Sequence, residues 1–307
     1  MRDHVRRTPL LRSEWLSSAL HADVHLKLES LQTTGSFKLR GAFNAAQALL
    51  ERHGGSEPPL LVTASAGNHG RALAYAAERL RLPLIVYAPA GAPRAKLDAI
   101  RRHGAELRET ADYDEAERQA KQAAARGDGV FVSPYSDRDV IAGAGTVAIE
   151  IVEDCPDVDL FVVPVGGGGL VSGVAVAAHA ISAGVDVVGV EVEASHVFHD
   201  SLAAGRLVEV HVGPTLADGL AGNADPDTIT FSYIQQLVTR LALVSEDDLR
   251  RAMRDLAGRE HVIAEGAGAV GVAALAAQKI DVSGRRVAVI VSGANIDLDR
   301  VRDVLSA

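Results

Sequence analysis

Amine chemistry has few places to occur in this chain. Among 31 basic residues the lysines are Lys27, Lys38, Lys96, Lys121 and Lys279. Lys38 closes the segment Ser30-Leu31-Gln32-Thr33-Thr34-Gly35-Ser36-Phe37-Lys38. Ser36 is a good N-cap, which would put Lys38 in the first turn of the helix that follows. A cation there opposes the helix dipole, which favours the neutral, nucleophilic amine. The plain alternative is a solvated surface lysine.

Three further strand-to-helix junctions could carry chemistry. Thr63-Ala64-Ser65-Ala66-Gly67-Asn68-His69-Gly70 follows a strand pattern and opens a helix pattern. Its small residues let backbone N–H groups approach a carboxylate or phosphate; a turn capped by Asn68 is the simpler reading. Val165-Gly166-Gly167-Gly168-Gly169-Leu170 places four glycines after an apolar strand. They are costly in chain entropy, and an anion cradle explains them better than a plain turn. Their spacing satisfies neither G-x-G-x-x-G nor G-x-x-x-x-G-K-[ST]. A dinucleotide-binding variant stays open because Glu191 ends the next strand, where a ribose-binding acid would sit. Val291-Ser292-Gly293-Ala294-Asn295 could present a hydroxyl at a strand end, or be only a turn and cap. His196 and His199, with Glu193 and Asp200, lack a third ligand of known geometry and read as a solvated polar face rather than a metal site.

The elements that must position these loops follow from hydrophobic periodicity. Apolar runs predict strands at Val24–Lys27, Leu60–Thr63, Leu84–Tyr87, Val130–Val132, Leu160–Val165, Val185–Val190, Leu241–Val244 and Arg286–Val291. Leu39, Phe43, Ala46 and Leu50 share one helix face, as do Leu73, Ala77 and Leu80. Further helices are expected at Ala95–His103, Asp114–Ala125, Val140–Val152, Leu170–Ala183, Glu246–Ala257, Ala267–Gln278 and Leu298–Leu305. Alternating strands and helices with near-continuous apolar strands imply parallel sheets covered by helices.

Composition narrows the function classes. The 307 residues carry a formal charge of −9, which argues against a nucleic-acid or anionic-membrane surface. A single cysteine, Cys155, excludes disulfide frameworks, C-x-x-C pairs and Cys-rich zinc sites. No apolar run is long enough to span a bilayer, and Met1 to Arg12 lacks the apolar core of a signal peptide. The expected location is cytoplasmic.

Gly35-Ser36-Phe37-Lys38-Leu39-Arg40-Gly41-Ala42, then Ser65-Ala66-Gly67-Asn68-His69-Gly70, then the tetraglycine, then Ser292-Gly293-Ala294-Asn295 occur in an order that resembles the fold-type-II pyridoxal-phosphate (PLP) enzymes, specifically the serine/threonine dehydratase (threonine ammonia-lyase) and serine racemase group. Thr8-Pro9-Leu10, Ile141-Ala142-Gly143-Ala144-Gly145-Thr146, Ala217-Asp218-Gly219 and Glu265-Gly266-Ala267-Gly268 are smaller matches. The resemblance spans essentially the whole chain. It implies a tryptophan synthase beta-like α/β fold, two parallel-sheet domains with the cofactor between them. Breaker residues His53–Pro59 and the polar Ser133–Asp139 suggest a small inserted domain at 54–138 and a large PLP-binding domain from 1–53 plus 139–307.

By this resemblance Lys38 is the lysine that forms a Schiff base with PLP, with Phe37 beside it. Gly166, Gly167, Gly168, Gly169 and Leu170 hold the phosphate. Asn68 bonds the ring hydroxyl, and Ser292 faces the pyridine nitrogen. Ser65, Ala66, Gly67, Asn68 and His69 take the substrate carboxylate on backbone N–H groups. Lys38, freed by the substrate amine, removes the α-proton; the β-hydroxyl leaves, protonated by the cofactor phosphate, and the product hydrolyses to a 2-oxo acid and ammonia. A serine opposite the ring nitrogen does not hold it protonated, which weakens the electron sink and favours prompt β-elimination.

Departures from the group sharpen the expectation. Racemases carry a second serine where this chain has Ala66, so the second base is missing and an L-threonine or L-serine dehydratase is favoured over a racemase. A 3-hydroxyaspartate-type dehydratase is the alternative within the class, and a nucleotide-binding oxidoreductase the alternative outside it. Glu191 matches one ligand of the racemases' divalent site, but Val197 stands where an aspartate is expected, so no metal is expected. The sequence ends at Ala307, without the C-terminal regulatory domain of biosynthetic threonine dehydratases, so feedback inhibition through one is not expected. Homodimerisation is implied by the resemblance.

Overall fold

The computed structural model describes residues 3–55, 57–182 and 184–306. Met1, Arg2, Ser56 of the breaker cluster, Ala183 at the expected end of the helix from Leu170, and Ala307 lie outside them. The described strands are β1 (Leu10–Arg12), β2 (Asp23–Leu28), β3 (Leu61–Ala64), β4 (Leu84–Pro89), β5 (Glu106–Thr110), β6 (Val130–Phe131), β7 (Leu160–Pro164), β8 (Asp186–Val192), β9 (Arg240–Val244) and β10 (Arg286–Val291).

The chain forms two compact units: residues up to Arg6 with Lys38–Ala144, and Arg7–Phe37 with Gly145 onward. The first is built on a four-stranded parallel sheet in the order β5-β4-β3-β6. Its β3 is buried at every position, and helices Lys38–Arg52 and Asn68–Leu80 share a core of Leu39, Phe43, Leu73 and Ala77 with Leu61 and Val86. The sheet lies wholly within the expected 54–138, but the unit takes in more chain. Helix Lys38–Arg52 joins it because Leu39 and Phe43 face the same core. The start of helix Arg138–Asp154 joins it through glycine contacts that admit no side chain: a Cβ on Gly143 would stand 2.4 Å from the Arg40 carbonyl.

The second unit holds a six-stranded sheet in the order β1-β2-β10-β7-β8-β9. Every pairing is parallel except β1 with β2. Parallel registry from Arg286↔Asp23 to Val291↔Leu28 brings the carboxyl ends of β2 and β10 level, with β7 beside them. Three of the four candidate loops therefore leave one edge of one sheet, the edge at which open α/β sheets bind ligands. Helix Gly266–Ala276, buried from Gly266 through Leu275, covers the sheet and joins a core with Leu249, Met253 and Leu256 of helix Glu246–Arg259.

The sequence reading missed β1, β5 and helices Glu14–Leu20, Val197–Ala204 and Thr230–Leu237. β1 is three exposed or half-buried residues whose pairing, not hydrophobicity, makes it a strand. β5 reads Glu-Leu-Arg-Glu-Thr and is a sheet edge, where charge is tolerated and discourages further pairing.

Candidate active site

In the second unit the loop before Lys38 is stitched to the loop after β10. Ser36 and Gly293 form an isolated antiparallel bridge. The Phe37 N–H donates to the Ser292 carbonyl at 3.0 Å, Ala294 N–H to the Gly35 carbonyl at 2.9 Å, and Asn295 Nδ2 to the Thr34 carbonyl at 2.9 Å. Gly35 is required here: its φ is +77°, and a Cβ would stand 2.5 Å from Asn295 Oδ1. Ser36 is not a helix cap, as its spacing suggested. Its backbone is drawn into the bridge, the helix begins at Lys38, and the buried Ser36 Oγ makes no hydrogen bond among the described residues. Ser292 is buried, and its hydroxyl donates to the Ala267 carbonyl at 3.3 Å.

The glycine loop leaves β7 next door. Gly168, at φ +85°, caps helix Gly169–Ile181, whose opening N–H groups have no intrahelical partner. A Cβ on Gly166 would meet Leu220 Cα at 3.0 Å, and one on Gly168 would meet Thr230 Oγ1 at 2.9 Å. Thr230 Oγ1 also donates to the Gly167 carbonyl at 2.9 Å, which fixes the loop from outside. A run of backbone without side chains, at the positive end of a helix, is chemistry suited to a phosphate.

In the first unit Lys38 is the first residue of its helix, and its half-buried amine donates to the Pro134 carbonyl at 2.7 Å. Helix Asn68–Leu80 begins at Asn68, with Gly67 rather than Asn68 in the cap position. A small Gly67 keeps that helix end open, and the Ser65 hydroxyl accepts the Gly67 N–H at 3.2 Å. His69 is buried, and burial, helped by the charge of Lys38, lowers it to about 3, so its ring is neutral. The Ala66 side chain is a methyl group with no acid or base.

Glu191 is engaged within its own unit. It is buried, and its two oxygens accept the N–H groups of Phe198 at 3.0 Å and His199 at 2.8 Å, at the start of helix Val197–Ala204. Burial pushes it up to about 8 against the pull of those amides. The Val197 side chain carries no ligating atom, and among the described residues no three His, Cys, Asp or Glu converge on a metal position. His196 instead shares a hydrogen bond with the Glu193 carbonyl at 2.8 Å, and both His196 and His199 lie against Asp200.

Sequence reasoning did not find the Pro134 carbonyl, Thr230 or a role for Glu265. Glu265 Oε1 would stand 2.2 Å from a Cβ on Gly293, so its buried carboxylate lies against the loop after β10. A backbone acceptor has no residue-type signature, and Thr230 lies 60 residues beyond the loop it braces.

Each unit by itself offers groups that suit PLP: the first an amine at a helix start, the second a glycine cradle at a helix start and a neutral buried hydroxyl at a strand end. The comparisons agree. Residues 1–293 match the family described as "Pyridoxal-phosphate dependent enzyme". The chain is 41% identical to an L-threonine ammonia-lyase of Thermotoga maritima, across 100% of this chain and 75% of that protein. It is 37% identical to a catabolic L-threonine dehydratase of Escherichia coli K12, across 98% and 91%. Its fold is similar to maize serine racemase, with a TM-score of 0.90 at 30% identity, covering 99% of this chain and 93% of that one. The chain belongs to the pyridoxal-phosphate-dependent enzyme family, of fold type II, and its cofactor is PLP.

Proposed function

We propose that this enzyme is an ammonia-lyase that converts L-threonine, L-serine or both to a 2-oxo acid and ammonia by β-elimination of water. The observation that carries the reading is Lys38: a half-buried amine at the first position of a helix, where the dipole favours its neutral form, donating to the Pro134 carbonyl. Full-length similarity to proteins named for threonine ammonia-lyase and dehydratase activity supports the substrate class.

Bound PLP supplies an electron sink for the bond broken at the substrate α-carbon. Lys38 Nζ holds the cofactor and accepts the α-proton. The N–H groups of Gly166–Gly169 and Leu170 would hold the phosphate, with Phe37 helping to hold the cofactor. Asn68 would bond the ring hydroxyl. Ser292 would partner the ring nitrogen and, being neutral, would not force a proton onto it. Ser65, Ala66, Gly67, Asn68 and His69 offer backbone N–H groups to the substrate carboxylate. Ala66 leaves no acid or base opposite Lys38, which restricts proton movement to one side of the α-carbon and disfavours racemisation. Cytoplasmic location and a homodimeric state belong to the same reading; among the described residues no helix is long and apolar enough to cross a membrane.

The test is the visible absorption of purified wild type and Lys38→Ala, before and after L-threonine, L-serine or L-threo-3-hydroxyaspartate. Wild type is expected to show the bound-cofactor band and to release 2-oxo acid from threonine or serine; the variant should do neither. Preferential turnover of hydroxyaspartate would move the substrate class, and faster formation of D-serine than pyruvate would overturn the elimination reading.

A further inference from the structure

His69 is fully enclosed yet makes only one side-chain hydrogen bond among the described residues. Its Nε2 lies 3.3 Å from the Val132 carbonyl, while its buried Nδ1 has no partner. A carbonyl can only accept, so Nε2 carries the proton and Nδ1 is a bare lone pair. A ring in this state neither gives nor takes a proton during turnover. Its work is to hold the Val132 carbonyl.

That carbonyl has a second donor, the Thr63 hydroxyl at 2.8 Å, while the Val132 N–H extends the β3–β6 ladder by donating to the Val62 carbonyl at 2.8 Å. Val132 is therefore fixed from three directions. The chain then turns at once: Ser133 Oγ accepts the N–H of Ser136 at 3.0 Å, and between them Pro134 presents its carbonyl to Lys38 Nζ. A single residue, Ser133, separates the carbonyl His69 holds from the carbonyl that holds the lysine.

We propose that His69 is a positioning residue for Lys38: with Thr63 it fixes the Val132 carbonyl, and through it the Pro134 carbonyl on which the lysine amine rests. This rests on the lyase reading only in taking Lys38 as the reactive amine. It also couples the two ends of the chemistry, since His69 is the second residue of the helix whose opening N–H groups face the substrate carboxylate.

The variants are His69→Gln, which keeps an N–H donor in reach of Val132, His69→Phe, which keeps a ring without one, and Thr63→Val, which removes the other donor at nearly constant shape. The first readout is acylation of Lys38 by acetic anhydride in the cofactor-free full chain at one pH, followed by peptide mass spectrometry. Losing a hydrogen bond to a charged amine should speed acylation about tenfold in His69→Phe. Thr63→Val should give a smaller change in the same direction, and His69→Gln a rate near wild type. The second readout, in the PLP-loaded enzyme, is kcat for L-threonine, which should fall in His69→Phe with little change in KM and recover in His69→Gln. Equal behaviour of the Gln and Phe variants, or wild-type acylation in both His69→Phe and Thr63→Val, overturns the proposal. Should His69→Phe not fold, Thr63→Val decides by the same criterion. Should wild type not turn over threonine while the acylation series holds, the lyase reading fails and the positioning role stands.

Discussion

At the residue scale the site turns on which groups can move a proton. Lys38 can; His69, neutral and committed to Val132, cannot; Ala66 has nothing to move. On the proposed reading the loop chooses between elimination and racemisation at position 66. Ala66→Ser would restore a hydroxyl there, and general acid–base assistance contributes about 10²–10⁴ in rate where a group is well placed. A loop not otherwise arranged for it should capture a small part of that. The ratio of D-serine to pyruvate formed from L-serine, read by chiral chromatography, should rise at least about tenfold over wild type; an unchanged ratio would mean that position 66 does not face the α-carbon. Lys38, Ala66 and the glycines were legible in the sequence because their types and order are unusual. The acceptor at Pro134 was not, because any residue supplies a carbonyl. Ser36 misled because a hydroxyl two residues before a helix looks like a cap until its backbone is seen paired with Gly293.

At the scale of elements, the cradle depends on a strand, a helix and a brace. β7 ends at Pro164, helix Gly169–Ile181 starts five residues later, and Thr230 at the head of helix Thr230–Leu237 bonds the Gly167 carbonyl between them. Strand and helix were readable from apolar runs; the brace was not, since helix Thr230–Leu237 is short and follows a loop without periodicity. Gly166→Ala puts a methyl 3.0 Å from Leu220 Cα, a backbone atom that cannot step aside without moving its loop. Gly166 has an ordinary negative-φ backbone, unlike Gly168, so the fold should tolerate the change better than the cradle does. Overpacking of this kind costs about 1–3 kcal/mol, which would appear as PLP affinity weakened about tenfold to a hundredfold in fluorescence titration, with the circular dichroism spectrum retained. Gly168→Ala should be worse, adding left-handed backbone strain to a contact of 2.9 Å with Thr230. Equal PLP affinity in Gly166→Ala and wild type would show that the phosphate lies elsewhere.

For the molecule as a whole, acid stability follows from two buried side chains, His69 and Glu191, and a set of exposed ion pairs. At the amino ends of the central strands Arg286 bonds Asp23 and Asp157, and Arg285 bonds Asp159 and Asp186. The Arg12 and Arg286 hydrogen bonds outweigh partial burial and hold Asp23 below its ordinary 3.8, and Arg285 does the same for Asp186. A depressed aspartate stabilises the fold above its unfolded value and loses that contribution as pH falls through the folded one. Their contribution is therefore complete above about pH 3.8 and is lost only below it, and exposure keeps each one small. His69 acts earlier. Its folded value of about 3 lies under the ordinary 6.5, so between those limits the unfolded chain binds a proton that the folded chain refuses. Stability from this group is complete above pH 6.5 and falls as pH drops, by up to about 1.4 kcal/mol per pH unit. His69→Gln removes that proton and leaves the aspartates in place. Glu191, raised to about 8, works the other way over the same range, because above 4.5 the folded chain holds a proton there that the unfolded chain has lost. The comparison of the two proteins isolates the ring: of urea midpoints at pH 7, 5 and 3.5, that of wild type should fall relative to that of the variant between pH 7 and 5, with both falling below pH 3.8 as the aspartates protonate. A constant difference between the two from pH 7 to 5 would mean that His69 titrates freely, which its enclosure beside Val132 does not allow.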